Sequence, residues 1–263
     1  MLDYDKEADD YDASRGGEAR ARAAAAAVLK LVPGGSRRLL DLACGTGIVT
    51  REIAAGRPAL RVTGADLAPA MTRTAAARLP GAVVRADSRR LPFATASFDA
   101  VTSVWLLHLP DGPDDVRAIV AECARVLRPG GVYVTTVDKA AAHDVGSDID
   151  AVLADRPVRP AEDAADAVTD HAARHGLTPA GRAVFRGAGQ GRSPRGTIAD
   201  LRRGWFTRLP PGDPRTERYA DRLAGLPDQD RPRPDPVFTL CAFRKPVTDR
   251  PATLLGRGFA RPS

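Results

Sequence analysis

The chain has 263 residues, of which 43% are hydrophobic and 27% charged, a composition typical of a domain that buries a core. It has no uninterrupted apolar run of the ~18 residues that a membrane helix needs, and its acidic N-terminus lacks the basic and then apolar pattern of a secretory signal. The 3 cysteines are far apart and show no CxxC spacing, so the sequence predicts no metal site and a cytoplasmic location.

The net charge of +6 is unevenly distributed, with −1 over residues 1–150 and +7 over residues 151–263. A basic half favours a nucleic-acid partner only when basic stripes are interleaved with aromatic residues, and only 5% of this chain is aromatic. We therefore expect a solvated Arg-rich surface, no nucleic-acid or membrane partner, and a monomer or homodimer.

The predicted elements alternate along the chain. An Ala-rich helix from Glu18 to Leu31 ends before Pro33. The predicted strands are Arg38–Leu42, Leu60–Asp66, Ala82–Ala86, Phe98–Val104, Gly131–Val137, Ala183–Arg186 and Val237–Phe243. The predicted helices are Ile48–Ala55, Pro69–Leu79, Pro113–Leu127 and Ala161–His175, with helical pieces around Thr197–Leu209 and Thr216–Leu223. Such alternation requires crossover connections and predicts an α/β domain with a doubly wound, mostly parallel sheet.

Two features at the ends of neighbouring strands indicate a nucleoside site. In the first, Asp41-Leu42-Ala43-Cys44-Gly45-Thr46-Gly47, the glycines allow a tight turn and a close approach to the main chain. The second is Asp66, 19 residues after Gly47, a spacing that suits hydrogen bonds from ribose hydroxyls. Thr50 replaces the third glycine of a dinucleotide site, and the Asp41 carboxylate repels phosphate. Asp41 thus suits a ligand with an amino group, although a helix-capping turn residue is the alternative.

The loop from Asp41 to Gly47 resembles motif I of class I S-adenosylmethionine-dependent methyltransferases, in the small-molecule branch (methyltransferase domain 11/25-like) that reads DLGCGTG or similar. Further similar segments follow in the family's order: Asp66-Leu67 with Pro69-Ala70-Met71, Ala86-Asp87-Ser88, Phe98-Asp99-Ala100-Val101, and Arg125 to Gly131. The resemblance runs from Tyr4 to Val137. Ala43 departs from the commoner glycine.

This resemblance implies a Rossmann-like methyltransferase fold of seven strands, with the last antiparallel and a small helical substrate cap inserted at about 187–236. It also implies one domain over residues 1–246, a cofactor-covering segment at 1–35 and a flexible tail at 247–263. The residues implied to bind S-adenosylmethionine are Tyr11 and Arg15 near its methionine end, Asp41, Ala43, Gly45 and Gly47 in the loop, Asp66 on the ribose, Leu67 and Met71 beside the adenine, Asp87 with Ser88 at the adenine amino group, and Ser103 beside the sulfonium. Tyr11 equally suits a residue that only fastens a helix to the domain.

His108 follows the fourth predicted strand, where the acceptor faces the methyl group, and is the candidate general base; a histidine packed in the loop is the alternative. His143 is a weaker candidate, and His171 with His175 are expected on the surface. In the cap, Trp205 and Phe206 are candidate anchors, and its arginines, Arg192, Arg195, Arg202 and Arg203, are solvated or meet an anionic acceptor.

The sequence therefore predicts methyl transfer from S-adenosylmethionine to O, N or C of a small molecule, in a biosynthetic or tailoring pathway. Two alternatives remain. The first is a relative that binds the cofactor without methylating, as a binding module or a cyclase. The second is an RNA methyltransferase.

Overall fold

The computed structural model describes residues 11–110, 112–157, 161–204, 209–210 and 212–247. The predicted tail after residue 247, the first ten residues of the predicted covering segment, and Trp205 and Phe206 lie outside these ranges. Among the described residues, no helix is both long and apolar enough to cross a membrane.

Seven strands form one sheet in the order β3-β2-β1-β4-β5-β7-β6. The strands are β1 (Arg38–Leu42), β2 (Arg61–Asp66), β3 (Val83–Arg85), β4 (Phe98–Ser103), β5 (Leu127–Val137), β6 (Thr178–Arg186) and β7 (Val237–Arg244). The first five pair in parallel, and β7 lies antiparallel to both β5 and β6. The predicted doubly wound topology with an antiparallel last strand is confirmed.

Helices cover both faces of the sheet. They are α1 (Tyr11–Ser14), α2 (Gly17–Leu31), α3 (Ile48–Gly56), α4 (Pro69–Arg78), α5 (Pro113–Val126), α6 (Lys139–Ala142), α7 (Asp148–Val152), α8 (Ala165–Arg174), α9 (Pro194–Arg202) and α10 (Pro214–Ala224). Because side chains alternate along a strand, Leu39 packs with α2 and α3 on one face, whereas Leu40 packs with α5 and α8 on the other. Strands buried on both faces explain the continuous apolar runs in the sequence.

Several boundaries differ from the prediction; β5, for example, begins at Leu127 instead of Gly131, and α9 ends at Arg202 instead of Leu209. Strand β6 begins at Thr178, five residues before the predicted Ala183. Pro179 and Gly181 are residue types that interrupt a strand pattern in the sequence, and the register with β7 shifts between them. Proline is tolerated there because β6 is an edge strand. Helix α8 begins at Ala165 instead of Ala161.

The predicted surface position of His171 is wrong. This residue is only 7% exposed, because it lies on the face of α8 that also buries Val168 and Ala172 against the sheet core. Burial lowers the pKa of its imidazole. His175, at the end of α8, is exposed as predicted.

The segment between β6 and β7 has a small core of its own. It contains α9 and α10, which pack with α7 through a cluster separate from both sheet cores. The buried members of this cap core are Ile149, Val152, Leu153, Leu201, Leu209, Tyr219 and Leu223.

Candidate functional site

The loop after β1 turns sharply and leaves part of its main chain open. Ala43, Gly45 and Gly47 have φ angles of 51°, 57° and 76°, in the left-handed region that favours glycine. A Cβ on Gly47 would lie 3.0 Å from the Cβ of Ala75, so this glycine allows α3 and α4 to pack closely. A Cβ on Gly45 would meet no described atom within 4 Å, which leaves space there for a ligand.

Asp66 joins this loop to the end of β2. Its Oδ2 accepts a hydrogen bond of 2.8 Å from the Gly45 amide, and its Oδ1 accepts one of 2.9 Å from the Ala68 amide. A carboxylate can accept more than two hydrogen bonds, so these contacts with the two loops are compatible with a role in binding hydroxyls. The residue is 9% exposed at the carboxyl edge of the sheet, where ligands bind in doubly wound folds.

Asp41 is a buried carboxyl group directly behind the glycine loop. Its Oδ2 accepts a hydrogen bond of 2.6 Å from the Thr50 hydroxyl, and the residue is 3% exposed. Burial raises its pKa to about 7, and the negative charge of Asp66 adds to the increase. A nearby cation would favour the ionised form, as the expected amino group of a ligand would.

The N-terminal segment is fastened over the same loop. Asp12 accepts a hydrogen bond of 2.6 Å from the Thr46 hydroxyl and forms an ion pair of 2.6 Å with Arg78. Tyr11 packs against Ala70 and Met71 at the start of α4. Residues 11–14 thus lie beside the predicted cofactor position.

On the adenine side the predicted residues differ in accessibility. Leu67 is 55% exposed and available to a ligand, whereas Met71 is 1% exposed and packs in the protein interior. Asp87 is held by an ion pair of 2.7 Å with Arg89, which lowers the pKa of the carboxyl. Ser88 is half-buried next to it.

Ser103 lies inside β4 and is completely buried. Its hydroxyl lies 2.7 Å from the Tyr133 hydroxyl and donates a hydrogen bond of 2.9 Å to the Thr135 hydroxyl. These contacts engage the hydroxyl within the protein, and the position of Ser103 beside the sulfonium stays a prediction.

His108 does not stand free as a base. Its Nε2 lies 3.0 Å from Nζ of Lys139, the first residue of α6. Burial lowers the pKa of His108 well below its usual value, and the Lys139 charge adds to this. Burial also lowers the pKa of Lys139 to about 8. His108 is therefore neutral near pH 7 and accepts a hydrogen bond from a charged Lys139.

Sequence reasoning missed Arg20, a residue of α2, which packs on the same face of the sheet as Trp105. Its guanidinium stacks over the Trp105 ring at 4.4 Å from the ring centre, and the residue is 3% exposed. A signal was available, because Arg20 shares the helical spacing of Ala24 and Ala27, which form the apolar face of α2. A charged residue on such a face is a candidate for function.

The cap arginines mostly pair with neighbouring carboxylates. Ion pairs join Arg195 to Asp230 and Arg202 to Glu217, all on the surface. The side chain of Arg192 is only 12% exposed and lies 3.3 Å from Asp150. Carboxylates of the protein itself therefore engage these three arginines.

Comparison with known proteins supports the site's location. Residues 40–135 match a family described as a methyltransferase domain, and this segment contains Asp41, Gly45, Asp66 and His108. This match supports the resemblance to class I S-adenosylmethionine-dependent methyltransferases over residues 40–135.

Two curated relatives illustrate the similarity. The ubiquinone/menaquinone biosynthesis C-methyltransferase UbiE of Desulfotalea psychrophila is 38% identical over 37% of this chain and 39% of its own length. A ubiquinone biosynthesis O-methyltransferase of Xanthomonas oryzae is 37% identical over 40% of this chain and 45% of its own length. The chain thus spans less than half the length of these relatives.

Among solved structures, the [4+2]-cyclase SpnF has the same fold, with a TM-score of 0.59 and 20% identity over 93% of this chain and 94% of its own. Because one fold supports different reactions, the reaction of this chain must be argued from its site.

Proposed function

We propose that this protein transfers the methyl group of S-adenosylmethionine to a small-molecule acceptor. The observation that carries the proposal is the junction of Asp66 with the open main chain of Gly45, at the carboxyl edge of β1 and β2. A carboxylate and an open main chain in this position suit the ribose and the methionine end of that cofactor.

The residues around this junction have separate tasks. The second lone pairs of the Asp66 oxygens accept the ribose hydroxyls, and Leu67 offers an apolar surface to the adenine. Helix α1 covers the loop and excludes water. When bound, the cofactor supplies a methyl group on a positively charged sulfur, which is a good leaving group.

The acceptor lies towards β4 and β5, beside His108, Lys139 and Trp105. Holding both reactants in line there can lower the barrier by about 7–11 kcal/mol. A neutral amine acceptor needs little beyond this placement.

A hydroxyl acceptor also needs a base, and the pair of His108 and Lys139 is our candidate. While Lys139 is charged, it donates to Nε2 of His108, and that nitrogen cannot take a proton from the acceptor. The pair therefore becomes a base only after Lys139 has lost a proton, at a pH near or above 8.

This proposal does not specify whether O, N or C of the acceptor receives the methyl group. One similar relative is a C-methyltransferase and another an O-methyltransferase, at nearly the same identity. Both act in biosynthesis by name, which supports a biosynthetic or tailoring role in the cytoplasm.

Calorimetry with S-adenosylhomocysteine tests cofactor binding, and we expect saturable binding. Incubation with methyl-labelled cofactor and a small-molecule extract of the source cells then tests the reaction. A labelled product that has gained one CH₂ unit in mass supports methyl transfer. Saturable cofactor binding with an altered but unlabelled product would instead support a non-methylating enzyme, and labelled RNA would support the RNA alternative.

A further inference from the structure

We propose that the Arg20 guanidinium, joined by the Lys139 amine while that amine is charged, binds an anionic group of the methyl acceptor, so that the acceptor is a small molecule with a carboxylate or a similar acidic group. This inference rests on the proposed function and specifies its substrate class.

The first observation is the burial of Arg20 without a carboxylate. Arg20 is 3% exposed, and no described residue forms an ion pair with it. Its Nε is buried and has no hydrogen-bond partner among the described residues. A buried charge is strongly unfavourable unless it is paired, so an unpaired buried guanidinium indicates a position for an anion.

The second observation concerns Trp105, on which Arg20 stacks. Trp105 has a φ of 61°, and its amide donates a hydrogen bond of 3.1 Å to the Thr136 hydroxyl. Its indole Nε1 is a second buried donor without a partner in the described part of the chain. The ring is held edge-to-face by Phe185 and Phe238, at centroid distances of 5.6 and 5.5 Å. Strained conformations of bulky residues cluster at functional sites.

The third observation is the amine of Lys139, a half-buried residue. Its Nζ contacts the neutral ring of His108, and within the described ranges no carboxylate lies in ion-pair distance of Nζ. The positive charges of Arg15 and Arg20 both lower its pKa, so these cations lie close enough to repel one another. An acceptor anion among them would relieve this repulsion.

The nearby carboxylates are engaged elsewhere. Asp12 holds Thr46 and Arg78, and Asp163 accepts a hydrogen bond of 2.9 Å from the Lys139 amide. The Asp163 charge favours the protonated form of Lys139 without reaching Nζ. The Asp12 charge raises the pKa of Arg20, but neither carboxylate forms an ion pair with Arg20 or with Nζ of Lys139.

The test compares benzoate with benzamide, its neutral isostere, by calorimetry on the full chain. The variants are Arg20→Met, Arg20→Lys and, as a control on the same helix, Arg22→Gln, whose side chain is 60% exposed. We expect the parent to bind benzoate at least about 10-fold more tightly than benzamide. Arg20→Met should abolish this preference, Arg20→Lys should restore part of it, and Arg22→Gln should leave it unchanged.

Thermal unfolding of the ligand-free variants separates binding from a structural role. If Arg20 is an unpaired charge, Arg20→Met raises Tm; if the stack on Trp105 is only structural, Tm falls. If Arg20→Met does not fold, the affinities for benzoate and benzamide are compared in Lys139→Met instead.

Equal or undetectable binding of the two probes would overturn the anion site, as would an unchanged preference in Arg20→Met. S-adenosylhomocysteine is titrated in parallel. If it binds the parent while the probes show no preference, only the anion site fails. If it does not bind, the proposed function fails, whatever the probes do.

Discussion

The two halves of the site carry opposite charges. Around β1 and β2, the buried carboxyl groups of Asp41 and Asp66 contact a hydroxyl and main-chain amides. Around β4 and β5, the buried Arg20 lies against an indole, and the half-buried Lys139 lies beside an imidazole. The first half suits a cationic cofactor and the second an anionic acceptor. Each half keeps buried charge that ligand-free folding alone would disfavour, which indicates selection for binding.

The largest expected effect is a loss of S-adenosylhomocysteine affinity when Asp66, in the acidic half of the site, is replaced. Asp66→Ala removes a charged acceptor from both loops, and we expect the affinity for S-adenosylhomocysteine to fall at least about 100-fold. The matched control is Asp99→Ala, because Asp99 likewise accepts two main-chain amides, those of Arg37 and Arg38, at the opposite edge of the sheet. Both variants should lower Tm, but calorimetry should detect weaker binding only for Asp66→Ala. Unchanged affinity in that variant would refute the ribose assignment.

The next effect tests whether His108 and Lys139 act as one base. For a hydroxyl acceptor found by labelling, His108→Gln should lower kcat about 100-fold. The parent kcat should rise with pH through about 8, because Lys139 must lose its proton, whereas Lys139→Met frees Nε2 of His108 and should remove this rise. Burial and the charges of Arg15, Asp163 and Arg20 together set the pKa of the amine. Full turnover in His108→Gln would eliminate the base proposal.

A smaller effect concerns the buried carboxyl group of Asp41. Its folded-state pKa of about 7 lies above the usual 3.8, so stability is lost as the pH rises from about 4 to 7, where the unfolded chain ionises first. Asp41→Asn should therefore raise Tm on the order of 5 °C at pH 8 and hardly at all near pH 4. Its affinity for S-adenosylhomocysteine should fall about 10-fold. A lower Tm at pH 8 would contradict the assigned pKa.

The smallest effect tests the cover over the loop. Thr46→Val removes the hydroxyl that binds Asp12, and we expect about threefold weaker S-adenosylhomocysteine binding and faster proteolysis near residues 11–16. Thr169→Val is the control, because that hydroxyl bonds only within its own helix, to the Ala165 carbonyl. Equal proteolysis of the two variants would mean that α1 is held by other contacts.

The sequence predicted those parts of the site that depend on residues close to one another in the chain. The strand from Arg38 to Leu42, the glycine loop and Asp66 follow from local patterns, and the structure brings Gly45 and Asp66 into contact. The sequence could not show that the Ser103 hydroxyl contacts Tyr133 and Thr135, because only the pairing of β4 with β5 brings these residues together.

The contacts of His108 and Arg20 needed distances that the sequence does not contain. Lys139 is 31 residues from His108. Arg20 lies in α2, whereas Trp105 follows β4, far along the chain. Such pairs arise from crossover packing, whereas periodicity reports only which face of one helix is apolar.

The separate core of the cap bears on how such proteins diversify. Tyr219, Leu223 and Leu201 pack with one another and with α7 instead of with the sheet. Substitutions among them can therefore change the cap without disturbing the packing beneath the glycine loop. In the proposed function, such changes alter which acceptor is recognised and leave binding of the methyl donor intact.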